Sequence, residues 1–465
     1  MKDVKWTFVF VGLIIVIFLI IIPVFTRKVF FADTTDYLGV ARYFHGDLNS
    51  AIRNTHNWDY GLFLSFFLKM FNSIILLRII NSIWILLTAL VLYKLSKNKK
   101  VLWLWFLSPI VWYLAPYIHP LPMATFFLTA SYYLLKKYET SNNKFDLAIS
   151  GFFLGIAALF WDGMLILAPF FIISFFFKRK LSEVILFLFL FGISFSIKLF
   201  TDWVLFNFPL FSTFRQLGST MLFVLKKAAF TDTTSASFLV HFIPTNLIFY
   251  LFAITPFFFT LYRSFKQYKQ EITFIMLIFL FFVFNNQPRY AIIIAPLSLL
   301  LISKTINKKE LIINSILSVI LIIFLIYPAF VDTTDTNIAN DLEQIGIDFP
   351  NEVFLAGSST KGQEDDYLVF STLYYGDKIK EFVSWQDYNL AIKNETIFYQ
   401  VTFEPDYSKV NEIRNMFITL GMSRVSNRNY SEVKYLISRE RAIGLKNFKL
   451  VKEYKVLNVF KKEFI

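Results

Sequence analysis

Two aspartates follow directly on the first long apolar run. Asp33 and Asp36 lie in Phe31–Phe44, FADTTDYLGVARYF, with Tyr37 and Arg42 beside them. A carboxylate at the end of such a run can take a proton from a hydroxyl as a new bond forms. It can also cap a helix, because DTTD before an apolar-periodic stretch has the form of a capping box, and the two uses are compatible. A second stretch, Asn285–Tyr290 (NNQPRY), puts Arg289 at the head of another apolar run. An arginine there either snorkels to headgroups or grips a phosphate, its planar fork binding two oxygens at once. Asp162, at the tight turn Trp161–Asp162–Gly163, is a third candidate. A carboxylate near hydrocarbon is functional by default unless its turn lets it reach water.

Other chemistry is excluded by what the chain lacks. Cysteine is absent, which removes thiol catalysis, cysteine metal sites and disulfides. With 4 histidines, a histidine metal cluster is not expected, and His119, among prolines in IHPLPM, reads as structural. No metal site is assigned, although carboxylate-only binding of Mg or Mn by Asp33, Asp36 and Asp232 stays open. The DTT of the first loop recurs at Asp232–Thr234 and Asp332–Thr334, which fits repeated helix capping better than three ligands for one cation.

The elements that must position these residues are membrane-spanning helices. The 465-residue chain is 56% hydrophobic, 20% aromatic and 17% charged, with mean hydropathy +0.55. Soluble domains are about one quarter charged. A span needs about 20 mostly apolar residues. Runs of that kind fall near 6–25, 74–93, 101–116, 121–135, 146–161, 163–177, 183–206, 241–262, 272–285, 290–303 and 311–328, so the reading is a polytopic α-helical membrane protein with about eleven transmembrane helices. The run 6–25 lacks a small-residue cleavage site and reads as an uncleaved first helix.

The formal charge of +13 is read as topology, with no nucleic-acid partner. Every second loop is basic, from Lys2 and Lys5 through Lys94–Lys100, Lys136–Lys144, Lys178–Lys180 and Arg263–Lys269 to Lys304–Lys309. The positive-inside rule puts these loops and the N-terminus in the cytoplasm. Loops 26–73 and 207–240 and the tail then lie outside, so the chemistry is expected on the outer face of the cell membrane. Two domains follow: residues 1–329 as the transmembrane part and 330–465 as an extracytoplasmic α/β domain. In the tail, Val353–Ala356, Thr396–Thr402, Phe448–Tyr454 and Val456–Phe460 read as strands. Asn337–Ile345, Trp385–Lys393, Ser408–Leu420 and Ser431–Arg439 read as helices. Asn394–Thr396 and Asn429–Ser431 fit the glycosylation sequon. The tail is expected to act as a lid or acceptor-handling module.

With the topology laid out, residues 1–330 resemble the GT-C glycosyltransferases, and within them the prokaryotic protein mannosyltransferase and aminoarabinose transferase group. The resemblance rests on Asp33, Tyr37 and Ala41 spaced by four after the first span, on Trp58–Phe71 (WDYGLFLSFFLKMF), and on Arg289, Tyr290 and Pro296 opening a late span. Many relatives carry Asp-Glu where this chain has Asp33–Thr34. The resemblance implies a transferase that takes a sugar from a polyprenyl (dolichyl or undecaprenyl) phosphate and gives it, with inversion, to a glycan, lipid or protein acceptor. It implies Asp33 as the catalytic base with Asp36 the alternative, Arg289 and Tyr290 at the donor phosphate, Tyr37 in support, and no cofactor. The rival reading is a transporter or flippase of a lipid-linked or anionic substrate. Transporters show internal repeats and charges at mid-membrane. No repeat is visible here, and the charges are expected at the outer mouths.

Overall fold

A computed structural model of the chain describes residues 13, 17, 19–28, 34–45, 58–71, 73–176, 179–206, 209, 210, 212, 213, 251–284, 288–357, 379, 381–384, 398–402, 421–425, 433–441 and 447–463. The chain divides into two compact units. The first holds Met1–Thr26, Asn57–Tyr60 and Phe71–Pro328; the second holds Arg27–His56, Gly61–Met70 and Ala329–Ile465.

The helices are α1 Thr34–His45, α2 Trp58–Phe71, α3 Ile74–Ser96, α4 Lys99–Phe106, α5 Pro109–Leu114, α6 Pro120–Ser141, α7 Lys144–Phe160, α8 Gly163–Phe176, α9 Leu181–Phe206, α10 Lys269–Phe284, α11 Ala291–Thr305, α12 Lys308–Val331 and α13 Thr334–Asp348. Short 3₁₀ turns occupy Phe258–Ser264 and Pro288–Tyr290. Among the described residues, three stretches are long and apolar enough to cross a membrane: Ile74–Ser96, Leu181–Val204 and one within Lys308–Asp348. The expected crossing at 101–116 is broken into α4 and α5. Pro109 has no N–H to offer the Trp105 carbonyl, so the helix stops and restarts with Pro109 in its first turn. The expected crossing near 6–25 lies in large part outside the described residues, as do residues 241–250 of the one near 241–262, whose described part runs into the 3₁₀ turn Phe258–Ser264.

α9 shows why the first unit needs lipid around it. Phe187, Ser194, Lys198 and Asp202 are buried, at helical spacing, while Ile185, Phe189, Ile193, Ile197 and Phe200 are exposed. Polar groups face inward and apolar groups outward, the reverse of a soluble amphipathic helix. α12 repeats the pattern: Asn314 is buried and accepts from Thr255 Oγ1 at 2.6 Å, while Ile316, Ile320, Ile323 and Phe324 are exposed.

Small residues let the inner helices meet. Gly151 and Gly155 form a GxxxG spacing on α7. A Cβ on Gly151 would meet the Phe187 carbonyl, and one on Gly155 the Ser194 hydroxyl and the Phe191 carbonyl. Backbone contact of this kind is the usual seam between spanning helices. On the other side of α7, Ser131 and Ser150 each donate to the other's carbonyl, at 2.8 and 2.7 Å. The turns before α4 and α7 share one design. Lys97 and Asn142 take the left-handed conformation, with φ of 51° and 54°, and the next residue, Asn98 or Asn143, caps the new helix through its side chain.

In the second unit, strands β1 Val353–Ala356, β2 Glu381–Ser384, β5 Tyr435–Ser438, β6 Phe448–Glu453 and β7 Asn458–Lys462 form one sheet in the order β2-β1-β5-β7-β6. β1 is parallel to β2 and β5, and the remaining pairings are antiparallel. β3 Phe398–Thr402 and β4 Gly421–Val425 form a separate antiparallel pair. Alternation sorts the faces. Leu355, Leu436 and Phe460 lie in register on one face. Phe354, Ile437 and Val459 turn to the other and pack on Ile338, Leu342 and Ile345 of α13. Ser431–Arg439, expected as a helix, instead contains strand β5, because Leu436 and Ile437 are each needed on opposite faces of the sheet. The expected helices at 385–393 and 408–420 lie outside the described residues. Arg27 and Lys28 both donate their amides to the Ala329 carbonyl, and Lys28 Nζ pairs with Asp332 at 2.9 Å.

Candidate active site

The sequence candidates divide between the units. Asp33 lies outside the described residues, as does Asp232. Asp36 and Tyr37 lie in α1 of the second unit, where Thr34, Tyr37, Leu38 and Ala41 supply a buried stripe. Arg289 and Tyr290 lie in the first unit, in the 3₁₀ turn that leads into α11.

The charged centre of the first unit is one that sequence reasoning missed. Lys198 of α9 is fully buried. Its Nζ lies 2.8 Å from Asp162 Oδ1 and 3.5 Å from Asp59 Oδ2. Asp202, one helical turn further along α9, accepts from the backbone N–H and hydroxyl of Ser212 at 3.0 and 2.7 Å. The Lys198–Asp162 pair is close without being aligned as a hydrogen bond, so its attraction is ionic. Three buried carboxylates surround one ammonium, and burial pushes the Asp59 carboxyl above its ordinary range against the pull of Lys198. The charges were expected at the mouths of the spans; here a lysine and an aspartate lie buried within one. The signal was present in the sequence, as opposite charges four residues apart inside an apolar run.

The fold places this centre through the α7–α9 seam. Gly151 and Gly155 bring α9 against α7, and the same face of α9 continues from Ser194 to Lys198. α7 ends at Phe160, and Asp162 follows in the turn to α8. Trp161, in that turn, puts its ring against Tyr290, with centroids 5.3 Å apart and planes at 38°. The Arg289 guanidinium lies 5.6 Å from the Tyr290 ring centroid, and Arg289 is 6% exposed. Arg289 also acts electrostatically on Tyr113, in α5. His119 caps α6, its Nδ1 accepting from the Leu121 N–H at 3.2 Å, which agrees with a structural role. Asp332 likewise caps, accepting from the Thr334 N–H at 3.0 Å.

The turn Trp161–Asp162–Gly163 therefore touches both groups that sequence put forward separately, the turn carboxylate and the Arg289–Tyr290 pair. Among the described residues, no group of three or more carboxylate or histidine side chains is placed to hold a metal ion. What the site offers is a buried guanidinium on an aromatic ring, suited to an anion, and, joined to it through the turn, a buried cluster of three carboxylates and one ammonium.

Solved structures decide the fold class. ArnT from Cupriavidus metallidurans, in a crystal structure bound to undecaprenyl phosphate, is similar at TM-score 0.61 over 99% of this chain and 98% of that one, with 10% identity. The fold is GT-C. An oligosaccharyltransferase from Archaeoglobus fulgidus, in its apo form, matches at TM-score 0.48 and 12% identity, over 92% of this chain and 69% of that chain. No family model matches the sequence, and no curated protein does. At such identity the likeness is one of fold, and the chemistry has to come from the residues themselves.

Proposed function

We propose that the protein is a membrane glycosyltransferase that moves a sugar from a polyprenyl phosphate to an acceptor hydroxyl on the outer face of the membrane. The observation that carries this reading is Arg289, buried beside Tyr290 and Trp161 at the head of α11, in a chain with the fold of a protein whose crystal structure holds undecaprenyl phosphate. A guanidinium fixed in low dielectric stabilises phosphate charge far better than one in water.

In the proposed reaction the acceptor oxygen attacks the anomeric carbon as the bond from that carbon to the phosphate oxygen breaks. The acceptor proton goes to Asp33, or to Asp36 in its place. Charge grows on the departing polyprenyl phosphate, where Arg289 holds it. Attack from the face opposite the leaving group gives inversion, through an oxocarbenium-like transition state. No metal is assigned a step, so transfer is expected to continue in excess EDTA; abolition by EDTA with recovery on Mg or Mn would refute that.

The test is donor use by Arg289→Gln and Arg289→Lys in membranes supplied with a polyprenyl-phosphate sugar. Loss of one charged phosphate contact is expected to cost about 10²–10³ in turnover. Lysine should recover only part, lacking the planar fork. Wild-type rates in Arg289→Gln would remove the residue from the site. A transporter is the reading that buried charge in α9 would favour; it predicts movement of the lipid-linked substrate across the bilayer without any sugar transfer.

A further inference from the structure

We infer that Lys198 is a positioning residue for the phosphate site at Arg289, acting through the turn Trp161–Asp162–Gly163. This rests on the donor-phosphate reading of Arg289 and adds to it a residue that would touch neither donor nor acceptor.

The connection runs through contacts within the first unit. Lys198 Nζ holds Asp162 Oδ1 at 2.8 Å. Asp162 is bonded to Trp161, whose ring packs on Tyr290 at 5.3 Å. Tyr290 carries the Arg289 guanidinium 5.6 Å from its ring centroid. The indole also covers Gly163 so closely that a Cβ there would overlap the ring. Lys198 is fully buried, and Asp59 lies 3.5 Å from the same ammonium, so Asp162 is its nearer carboxylate of the two.

Stability alone does not call for a lysine here. Buried ion pairs rarely gain over apolar side chains of the same volume, and a seam built on Gly151 and Gly155 would accept an apolar residue at this position. What an apolar residue cannot do is fix a carboxylate, and with it the direction in which Trp161 leaves α7. Arg289 then has its supporting ring in place before any phosphate arrives, which spares the donor the cost of arranging it.

The experiment measures undecaprenyl phosphate binding to the full-length protein in lipid nanodiscs, with thermal unfolding recorded on the same samples. The variants are Arg289→Gln, Lys198→Arg, Lys198→Met, Asp162→Asn, Gly163→Ala and the double variant Lys198→Met with Asp162→Asn. A misplaced binding group is expected to weaken affinity by about tenfold to a hundredfold in Lys198→Met, Asp162→Asn and Gly163→Ala. Lys198→Arg should keep most of the affinity. The double variant strands one buried carboxylate fewer than Lys198→Met, so its unfolding temperature should lie above that of Lys198→Met while its affinity stays low. Gly163→Ala alters no charge and reports on the indole alone, so the test survives if Lys198→Met fails to fold. Wild-type affinity in the folded double variant and in Gly163→Ala, with Arg289→Gln impaired, would overturn the positioning role and leave the phosphate site standing. Wild-type affinity in Arg289→Gln would overturn the phosphate site and this inference with it.

Discussion

Lys198 shows how far a single side chain can be read before a fold is known. Its run, 183–206, is apolar enough to pass as an uninterrupted span, and the one lysine and one aspartate inside it do not break the pattern. Their meaning depends on Asp59 and Asp162, which are distant in sequence and reach Lys198 from the start of α2 and from the turn after α7. Arg289 stands out in the sequence because its charge heads an apolar run, which leaves headgroup or phosphate as its partner, and the structure adds that it is buried beside Tyr290. Asp33 was legible as a candidate, and its surroundings lie outside the described residues. The buried centre makes a stability prediction. Removing the ammonium alone, as in Lys198→Met, leaves buried carboxylates without their partner and is expected to cost about 3–5 kcal/mol. Unfolding in detergent followed by tryptophan fluorescence measures this, and an unchanged midpoint would mean that water already reaches the cluster.

At the level of elements, the glycines of α7 set how closely α9 can approach. Gly151 and Gly155 admit backbone and a hydroxyl where any Cβ would intrude. Gly155→Leu should therefore separate the helices and weaken the Lys198–Asp162 contact, lowering both thermal stability and transfer. Ser131→Ala, which removes one of two reciprocal hydrogen bonds, should cost only about 0.6 kcal/mol. Comparing the two variants by thermal unfolding tells packing from hydrogen bonding; equal effects would contradict the close-seam account.

The elements of the tail were only partly readable. Val353–Ala356 is a strand as expected, Phe448–Tyr454 contains β6, and Val456–Phe460 overlaps β7, which starts two residues later and runs on to Lys462. Tyr435–Ser438 misled because its short apolar core fits a helical period as well as an alternating one; the choice is made by pairing with β1 and β7. β2 and β4 carry too little local pattern to be seen, and pairing in the folded unit defines them.

The same unit carries a pH dependence. Asp348 is held at about 2, first by Lys452 and then by Tyr454, against an ordinary 3.8. Asp332 is likewise at about 2, first through Thr334 and then Lys28. Both pKa values are lower folded than unfolded, so the stabilisation is complete above about pH 4 and is lost as pH falls towards 2. Asp348→Asn should flatten part of the acid branch of the stability curve between those values and leave neutral behaviour little changed; an acid branch identical to wild type would contradict it.

For the whole molecule, composition and charge pattern gave the membrane class, and three described stretches are long and apolar enough to span. The full count of about eleven was inferred from run lengths. Two of those runs are broken or short helices here: 101–116, divided into α4 and α5 at Pro109, and 163–177, which forms the 14-residue α8. The most direct measurement of the central claim is sugar transfer from a polyprenyl-phosphate sugar by the full-length protein, comparing wild type with Asp33→Asn and Asp36→Asn at matched expression. The account predicts transfer by wild type, with one of the two variants losing about 10²–10⁴ in rate while still binding donor. Full activity in both variants would contradict an external carboxylate base, and no transfer by wild type with any of several sugars would contradict the enzyme itself.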